Sequence, residues 1–401
     1  MKHRSFTILF MLLSAVFLPG CWDRAELQDI DIVSAIGIDE GSDDLDNRYH
    51  VTVQVINEEQ IASAQAGAKG NIAPVTIYSA TGSNIEEALR KIAPKLPQEL
   101  FYPHVQLLVI GEELAKKTGI EDLFDWVERD NRFRTLFPVL VAKNTTAMEV
   151  LQIMTSLEPI PSAKIMGALE ATQETWGVFA STRADQVIQQ LSGGAALLTG
   201  VQKIGRTEHG NKLTNIKVIN PQAELEILGL GIFKDGKLQK WLVEDRARGA
   251  MLINNEVTKT IVNLNCEQKK KGMAVDVVRS KTKINVDIKD NKPVINVNVR
   301  SEAHVIEAHC PIDLSKHETI KELEKQMEEE LKEEIIMAVE AAKEEKSDIF
   351  RFGQFVNRKD PTLWKEIEEK WNDEVFPETE VNVNVKGFIR RAGLRTNPYI
   401  K

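Results

Sequence analysis

Cysteine is scarce in this chain of 401 residues, with three in all, at 21, 266 and 310. None stands in a CxxC pair, so the common redox and zinc-ribbon frameworks are excluded. A GxSxG elbow, an HExxH helix and a P-loop are also missing, and with them the signatures of serine hydrolases, zinc proteases and nucleotide triphosphatases. After the first twenty residues no apolar run approaches the ~18 needed to span a membrane. Positive charge is in deficit, with 51 Lys and Arg against 60 Asp and Glu and a formal charge of −9. That balance gives no electrostatic case for nucleic acid, and no polybasic patch for anionic lipid is expected. What remains is globular in composition, 42% hydrophobic and 28% charged, and long enough for two or three domains.

The first stretch sets the location. Lys2, His3 and Arg4 precede an apolar run from Phe6 to Phe17, which ends Leu18-Pro19-Gly20-Cys21. A basic start, a short apolar core and small residues before a cut mark an export leader. The last four residues resemble a lipobox, cut between Gly20 and Cys21, in which the Cys thiol takes a diacylglyceryl group. Cys offers the soft nucleophile that such a step needs. Residues 1–20 are therefore expected to be removed, Cys21 to be the lipidated first residue, and the anchor to hold the chain at a membrane. Trp22 would sit at headgroup depth or in the core of the first domain.

Ile30, Ile32, Ile36 and Ile38 alternate with Asp29, Asp31, Gly37 and Asp39, the period of a half-buried strand. Asp29 and Asp31 share a face, and solvated strand carboxylates explain them better than an acid–base pair. Strands follow at 48–57 and 74–81, with a polar loop at 58–73. Ser83 and Glu86 form a capping box for a helix. His104 to Ile110 reads as a central strand. Helices are expected at 112–118, 121–130, 145–155, 162–174 and 183–192, with a strand at 137–143. Residues 21–194 thus read as a mixed α/β domain. The glycines of 195–224 suggest a bridging segment or small module, and 225–395 a C-terminal α+β domain opened by a hairpin at Asp235-Gly236. Gly229 and Gly231 are not a dinucleotide fingerprint, because the third glycine and the following helix are missing. Five strands between 258 and 309 are expected to form an antiparallel meander. A helix from Ser315, capped with Glu318, to about Glu345 lays Leu323, Met327, Leu331 and Ile335 across it. Asp360-Pro361 starts another helix, with Trp364, Ile367 and Trp371 on one face, and Val381, Val383 and Val385 make a last strand. Lys386 to Lys401 reads as a basic tail. Cys266 and Cys310 lie in an exported domain, so a disulfide is allowed, and closing a 44-residue separation would stabilise by about 4 kcal/mol. His304 and His309 face opposite ways on a strand, which argues against a metal site with Cys310. No catalytic residue, metal or cofactor is assigned.

The residues CWDRAELQDIDIVSAIGID, from Cys21 to Asp39, resemble the start of mature C subunits of spore germinant receptors, the Ger(x)C lipoprotein family. Residues 81–123, with His104 and IGEELA, 224–250, with VEDRARGA, and 348–371, DIFRFGQFVNRKDPTLWKEIEEKW, resemble three further blocks of that family in order. The resemblance implies a non-catalytic lipoprotein working with integral-membrane A and B subunits in the inner membrane of the spore. It would serve the germination response, with nutrient recognition falling to another subunit and direct germinant binding by this chain not expected. The alternative is a free-standing exported lipoprotein, either a solute-binding protein or a wall-modifying hydrolase. A solute-binding protein should show two similar lobes, whereas the halves here differ in strand content.

Overall fold

The computed structural model describes residues 29–391 apart from 43, 58–71, 159 and 267–268. The leader, the Gly20–Cys21 cut, Trp22, most of the 58–73 loop and the tail beyond 391 lie outside the described residues. Two sheets organise the fold, a mixed α/β layer toward the N-terminus and a smaller sheet with a long helix toward the C-terminus.

The first sheet has nine strands. β1 (Ile30–Glu40) is its middle, with Val33, Ala35, Ile36 and Ile38 almost wholly buried. It pairs antiparallel with β2 (Tyr49–Ile56), which pairs with β3 (Val75–Gly82). Beyond β3 comes α1 (Ile85–Ile92), and the short β4 (Glu99–Phe101) runs parallel beside the start of β1. On its other side β1 is parallel to β5 (Leu107–Gly111). The helices α2 (Glu112–Lys116) and α3 (Glu121–Arg129) then lead to β6 (Val139–Ala142), parallel to β5. Both strands are buried along their whole length, as parallel strands covered on two faces must be. The helices α4 (Ala147–Leu151), α5 (Pro161–Thr175) and α6 (Ala184–Leu191) complete the covering. Helices α1, α2, α3 and α6 bury their apolar stripes in one core, and α4 and α5 in another.

The chain does not leave this sheet at residue 195. β7 (Ala195–Gly205) is parallel to β6, and the hairpin of β8 (Ala223–Lys234) and β9 (Lys237–Leu242) extends the sheet antiparallel from it. The expected bridging segment is thus an interior strand followed by a loop, and the hairpin expected to open the second domain belongs to the first sheet. The glycines mislead because they serve close packing: a Cβ on Gly200 would meet the Trp241 ring at 2.6 Å. The turn itself is as expected, with Asp235 and Gly236 at φ 46° and 71°.

α7 (Glu244–Ile253) leads into the second sheet. The five expected strands merge into three, β10 (Thr260–Cys266), β11 (Lys269–Lys289) and β12 (Lys292–Ala308), because the suspected breaks pair with each other in unbroken register, Ser280 opposite Ser301. α8 (His317–Glu344) crosses them with Leu323, Met327, Leu331 and Ile335 buried. α9 (Phe352–Lys359) and α10 (Pro361–Ile367) follow, and β13 (Glu380–Arg391) closes the sheet parallel to β12. The expected wholly antiparallel arrangement is corrected there, since α8 supplies the crossover that a parallel pair requires.

Two caps also differ from expectation. Asn84, not Ser83, accepts the Glu87 amide at 2.9 Å, while the Ser83 hydroxyl donates to the Glu87 carboxylate at 2.6 Å. Ser315 donates its hydroxyl to Asp313 at 2.6 Å, and α8 begins at His317 with no side-chain cap from Lys316. His104 is exposed in a turn closed by the Val105 amide on the Tyr102 carbonyl, ahead of the strand it was expected to open.

Candidate functional site

The recognisable blocks place Asp39, Glu112, Arg248 and Asp348 inside the molecule, where each joins neighbouring elements. In the first block, Gly111 ends β5 where a Cβ would come within 2.1 Å of Asp39 Oδ1. Asp39, 4% exposed, accepts the Ala147 and Met148 amides at 2.6 and 3.0 Å and so starts α4. Burial pushes its carboxyl up, and those two amides pull it back. Glu112 accepts from the Trp241 indole and from Lys116, each at 2.8 Å, and from the Asn144 amide. Burial opposes its charge, but the three donors outweigh burial and hold the carboxyl below its ordinary range. One acidic side chain thereby ties the β6–α4 loop to β9.

The second block supplies Arg248 and Gly249 on α7. Arg248 donates from Nε to Glu334 of α8 at 2.7 Å, from a terminal nitrogen to the Ile261 carbonyl of β10 at 3.0 Å, and from the other to Asp245 at 3.0 Å. The side chains of Arg248 and Glu334 are 9% and 5% exposed. Burial pushes the Glu334 carboxyl up and the guanidinium draws it down. At Gly249 the helices touch, since a Cβ would lie 2.1 Å from the Glu334 carbonyl oxygen.

The third block turns on Asp348. Its carboxylate accepts the Phe352 and Gly353 amides at 3.0 and 2.8 Å and the Trp371 indole at 2.7 Å. Burial pushes this carboxyl up against those donors. Arg351 takes a left-handed φ of 58° so that the chain can turn into α9. Ser347 donates to the Phe233 carbonyl at 2.7 Å, fastening this block to the first sheet. Trp364 packs on Trp371 with ring centres 5.5 Å apart, on the face expected for them.

The surface offers clefts. One of about 870 Å³ lies between α1 and α3. Its arginines are matched by carboxylates: Arg48 to Asp122 at 3.0 Å, Arg90 to Glu86 at 2.9 Å, and Arg129 to Asp125 at 2.8 Å. Neither His nor Cys is among its lining residues. Asp29 is exposed and Asp31 half-buried at the start of β1, where burial raises the Asp31 carboxyl against a backbone hydrogen bond involving Gln98. Among the described residues no group of three His, Cys, Asp or Glu side chains is placed to hold a metal ion, and no helix is long and apolar enough to cross a membrane. Cys266, at the end of β10, and Cys310, before α8, are placed as a bonded pair with Cα atoms 6.3 Å apart. Cys21 lies outside the described residues. The hubs at Asp39, Glu112, Arg248 and Asp348 were missed as such from sequence. For Glu112 and Arg248 a charged residue next to glycine was the available signal.

Comparison with known proteins gives the same picture at both ends of the chain. Residues 23–203 match the family model described as spore germination protein N-terminal domain, and 228–393 the one described as spore germination B3/GerAC like, C-terminal. The chain is 34% identical to spore germination protein KC of Bacillus subtilis (strain 168) over 402 residues, covering 99% of this chain and 98% of that one. Spore germination protein A3 of the same organism is 24% identical, over 97% and 98% of the two chains. A solved structure titled "Crystal Structure of the GerBC protein" shares the fold with a TM-score of 0.55 at 19% identity, over 88% of this chain and 96% of that one. With a full-length relative at this identity and both halves matched in order, the chain belongs to the Ger(x)C family of spore germination proteins.

Proposed function

We propose that this chain is the lipid-anchored C subunit of a spore nutrient germinant receptor. It acts without catalysis, on the outer face of the plasma membrane that becomes the inner membrane of the spore, together with integral-membrane A and B subunits. The observation that carries the reading is the full-length match to spore germination protein KC in a chain that opens with a leader ending Leu18-Pro19-Gly20-Cys21. The interior supports it. Asp39, Glu112, Arg248 and Asp348 of the family blocks are spent on joining neighbouring elements. A diacylglyceryl group on Cys21 would keep the chain beside its partners at high effective concentration. The free-standing solute-binding alternative calls for two like lobes, and a nine-stranded mixed sheet beside a four-stranded one does not supply them.

Cys21→Ala tests the anchor by membrane fractionation and intact mass. The expected result is an unprocessed or soluble chain and a weakened germination response to an unchanged set of nutrients. A variant that is cut normally and stays membrane-bound would overturn the anchor. Calorimetric binding of a single germinant to the isolated chain at micromolar strength would overturn the scaffold role.

A further inference from the structure

The outward face of the second sheet assembles a cluster of cations from three strands far apart in sequence. Lys281 of β11 stands opposite Arg300 of β12, and Arg300 stands opposite Lys386 of β13. One step along, Lys283 shares its row with Asn298 and Asn384. All four cations are exposed, and among the described residues none of them has a carboxylate partner. Phe388, on the same face, is clasped by two guanidiniums, with Arg300 4.6 Å and Arg390 5.0 Å from its ring centre. The opposite face of the same strands is apolar and buried under α8, with Val297, Val299 and Ala303 inward.

This arrangement is unfavourable by itself. Like charges directly opposite on neighbouring strands destabilise a sheet, and adjacent strands are only about 4.8 Å apart. In a chain of net charge −9 there are acidic side chains enough to neutralise the row, yet Glu302, two residues along β12 from Arg300 on this face, pairs with Arg390 at 3.4 Å and leaves the row itself unmatched. A small anion is a poor fit to the row, because its cations stand on three separate strands. A planar array of negative charge matches it, with the Phe388 ring between guanidiniums for the apolar boundary beneath. Asn285, Asn296 and Asn382 continue the face in a third row of hydrogen-bonding groups.

We propose that this sheet face lies flat against a membrane surface of anionic phospholipid, and that it sets the orientation of the chain on the bilayer. In a chain of net charge −9 a face with unmatched cations is the one that anionic headgroups attract. The composition-based expectation that no polybasic patch exists for anionic lipid is thereby corrected. The patch is made by strand register and leaves no run of basic residues in the sequence. The proposal takes from the functional reading only that a membrane is near.

The chain from residue 22, which retains every described residue and carries no acyl group, is mixed with vesicles of phosphatidylglycerol and phosphatidylcholine in equal parts. Phosphatidylcholine vesicles serve as reference, and bound protein is measured by co-sedimentation. Binding to the anionic vesicles only, weakening as salt rises, is expected. The combined variant Lys281→Gln, Arg300→Gln, Lys386→Gln should lose about a hundredfold in partitioning, at roughly a fivefold factor per cation. Neutralising Lys321, Lys332 and Lys365, which are exposed elsewhere, should change partitioning far less, and circular dichroism checks that both variants fold. Equal binding to the two vesicle types, or equal losses in the two variants, would overturn the proposal. So would vesicle-independent capture of polyglutamate that the first variant abolishes, which would assign the face to an acidic polypeptide. None of these outcomes bears on Cys21, whose lipidation is decided by intact mass.

Discussion

Replacing Arg248 by Met probes the contact that joins α7, α8 and β10. The substitution keeps an unbranched apolar stem in place and removes the guanidinium. Glu334 is then left 5% exposed with no cation, and removing one partner of a buried pair typically costs about 3–5 kcal/mol. The structure narrows that range in a pH-dependent way. Asp245, the other carboxylate on Arg248, is 54% exposed and can return to water, so it adds little. The hydrogen bond to the Ile261 carbonyl is lost as well, at about 1 kcal/mol. Glu334 itself can escape by taking up a proton. Holding a carboxyl of ordinary pKa about 4.3 neutral at pH 7 costs about 3.7 kcal/mol at ~1.4 kcal/mol per unit, which caps the charge penalty.

The sign follows. In the variant burial and the neighbouring Asp245 and Glu330 carboxylates act on Glu334 unopposed, so its folded-state pKa is raised further above the unfolded value. A raised carboxyl contributes stability below the unfolded pKa and loses it as pH rises toward the folded pKa. The penalty of Arg248→Met, measured by urea unfolding of the chain from residue 22, should therefore be about 4 kcal/mol near pH 7 and shrink toward about 1–2 kcal/mol near pH 4.5. Adding Glu334→Leu should recover most of the loss, since a buried pair replaced by apolar residues of similar size is often neutral. A penalty that does not vary with pH, or a double variant as unstable as the sum of the singles, would refute the reasoning.

Gly249→Ala should cost about 1–3 kcal/mol by overpacking in the same assay, because the new methyl meets the α8 backbone and not a movable side chain; an unchanged midpoint would mean the two helices are not pressed together there. Partial burial would raise the Glu149 carboxyl, but Lys203, Thr145 and the Thr146 amide outweigh it and hold it at about 2. A lowered carboxyl contributes above the unfolded pKa and loses that contribution as pH falls, so the Tm advantage of the native chain over Glu149→Gln should persist above about pH 5 and close by about pH 2. An advantage that stays constant across that window would contradict the assignment. Free-thiol titration of the unreduced chain from residue 22 should find no reactive Cys266 or Cys310, and Cys266→Ala with Cys310→Ala should lose about 2–4 kcal/mol; two titratable thiols in the native protein would remove the bond from the account.

Periodicity and turn chemistry were enough to locate most elements, because those signals are local. The alternation in Ile30–Ile38, the apolar stripe of Leu323, Met327, Leu331 and Ile335, and the Asp235-Gly236 turn each depend on residues within a few positions. What failed was pairing. The glycines at 193–210 looked like a boundary because nothing local says that Gly200 must admit the Trp241 ring, over forty positions on. β13 was read as a strand, but its parallel partner became definite only once α8 was known to cross the sheet. The same limit hid the cation row, since Lys281, Arg300 and Lys386 become neighbours through register alone. It also explains how a family could be recognised without its chemistry. Gly111 beside Asp39, Gly249 against the Glu334 backbone, and Asp348 on two amides and an indole are places where a different residue would leave a clash or an unpaired charge. Such residues mark a sequence as strongly as a catalytic triad does. Each is occupied in joining neighbouring elements, and that is what makes it legible as a signature.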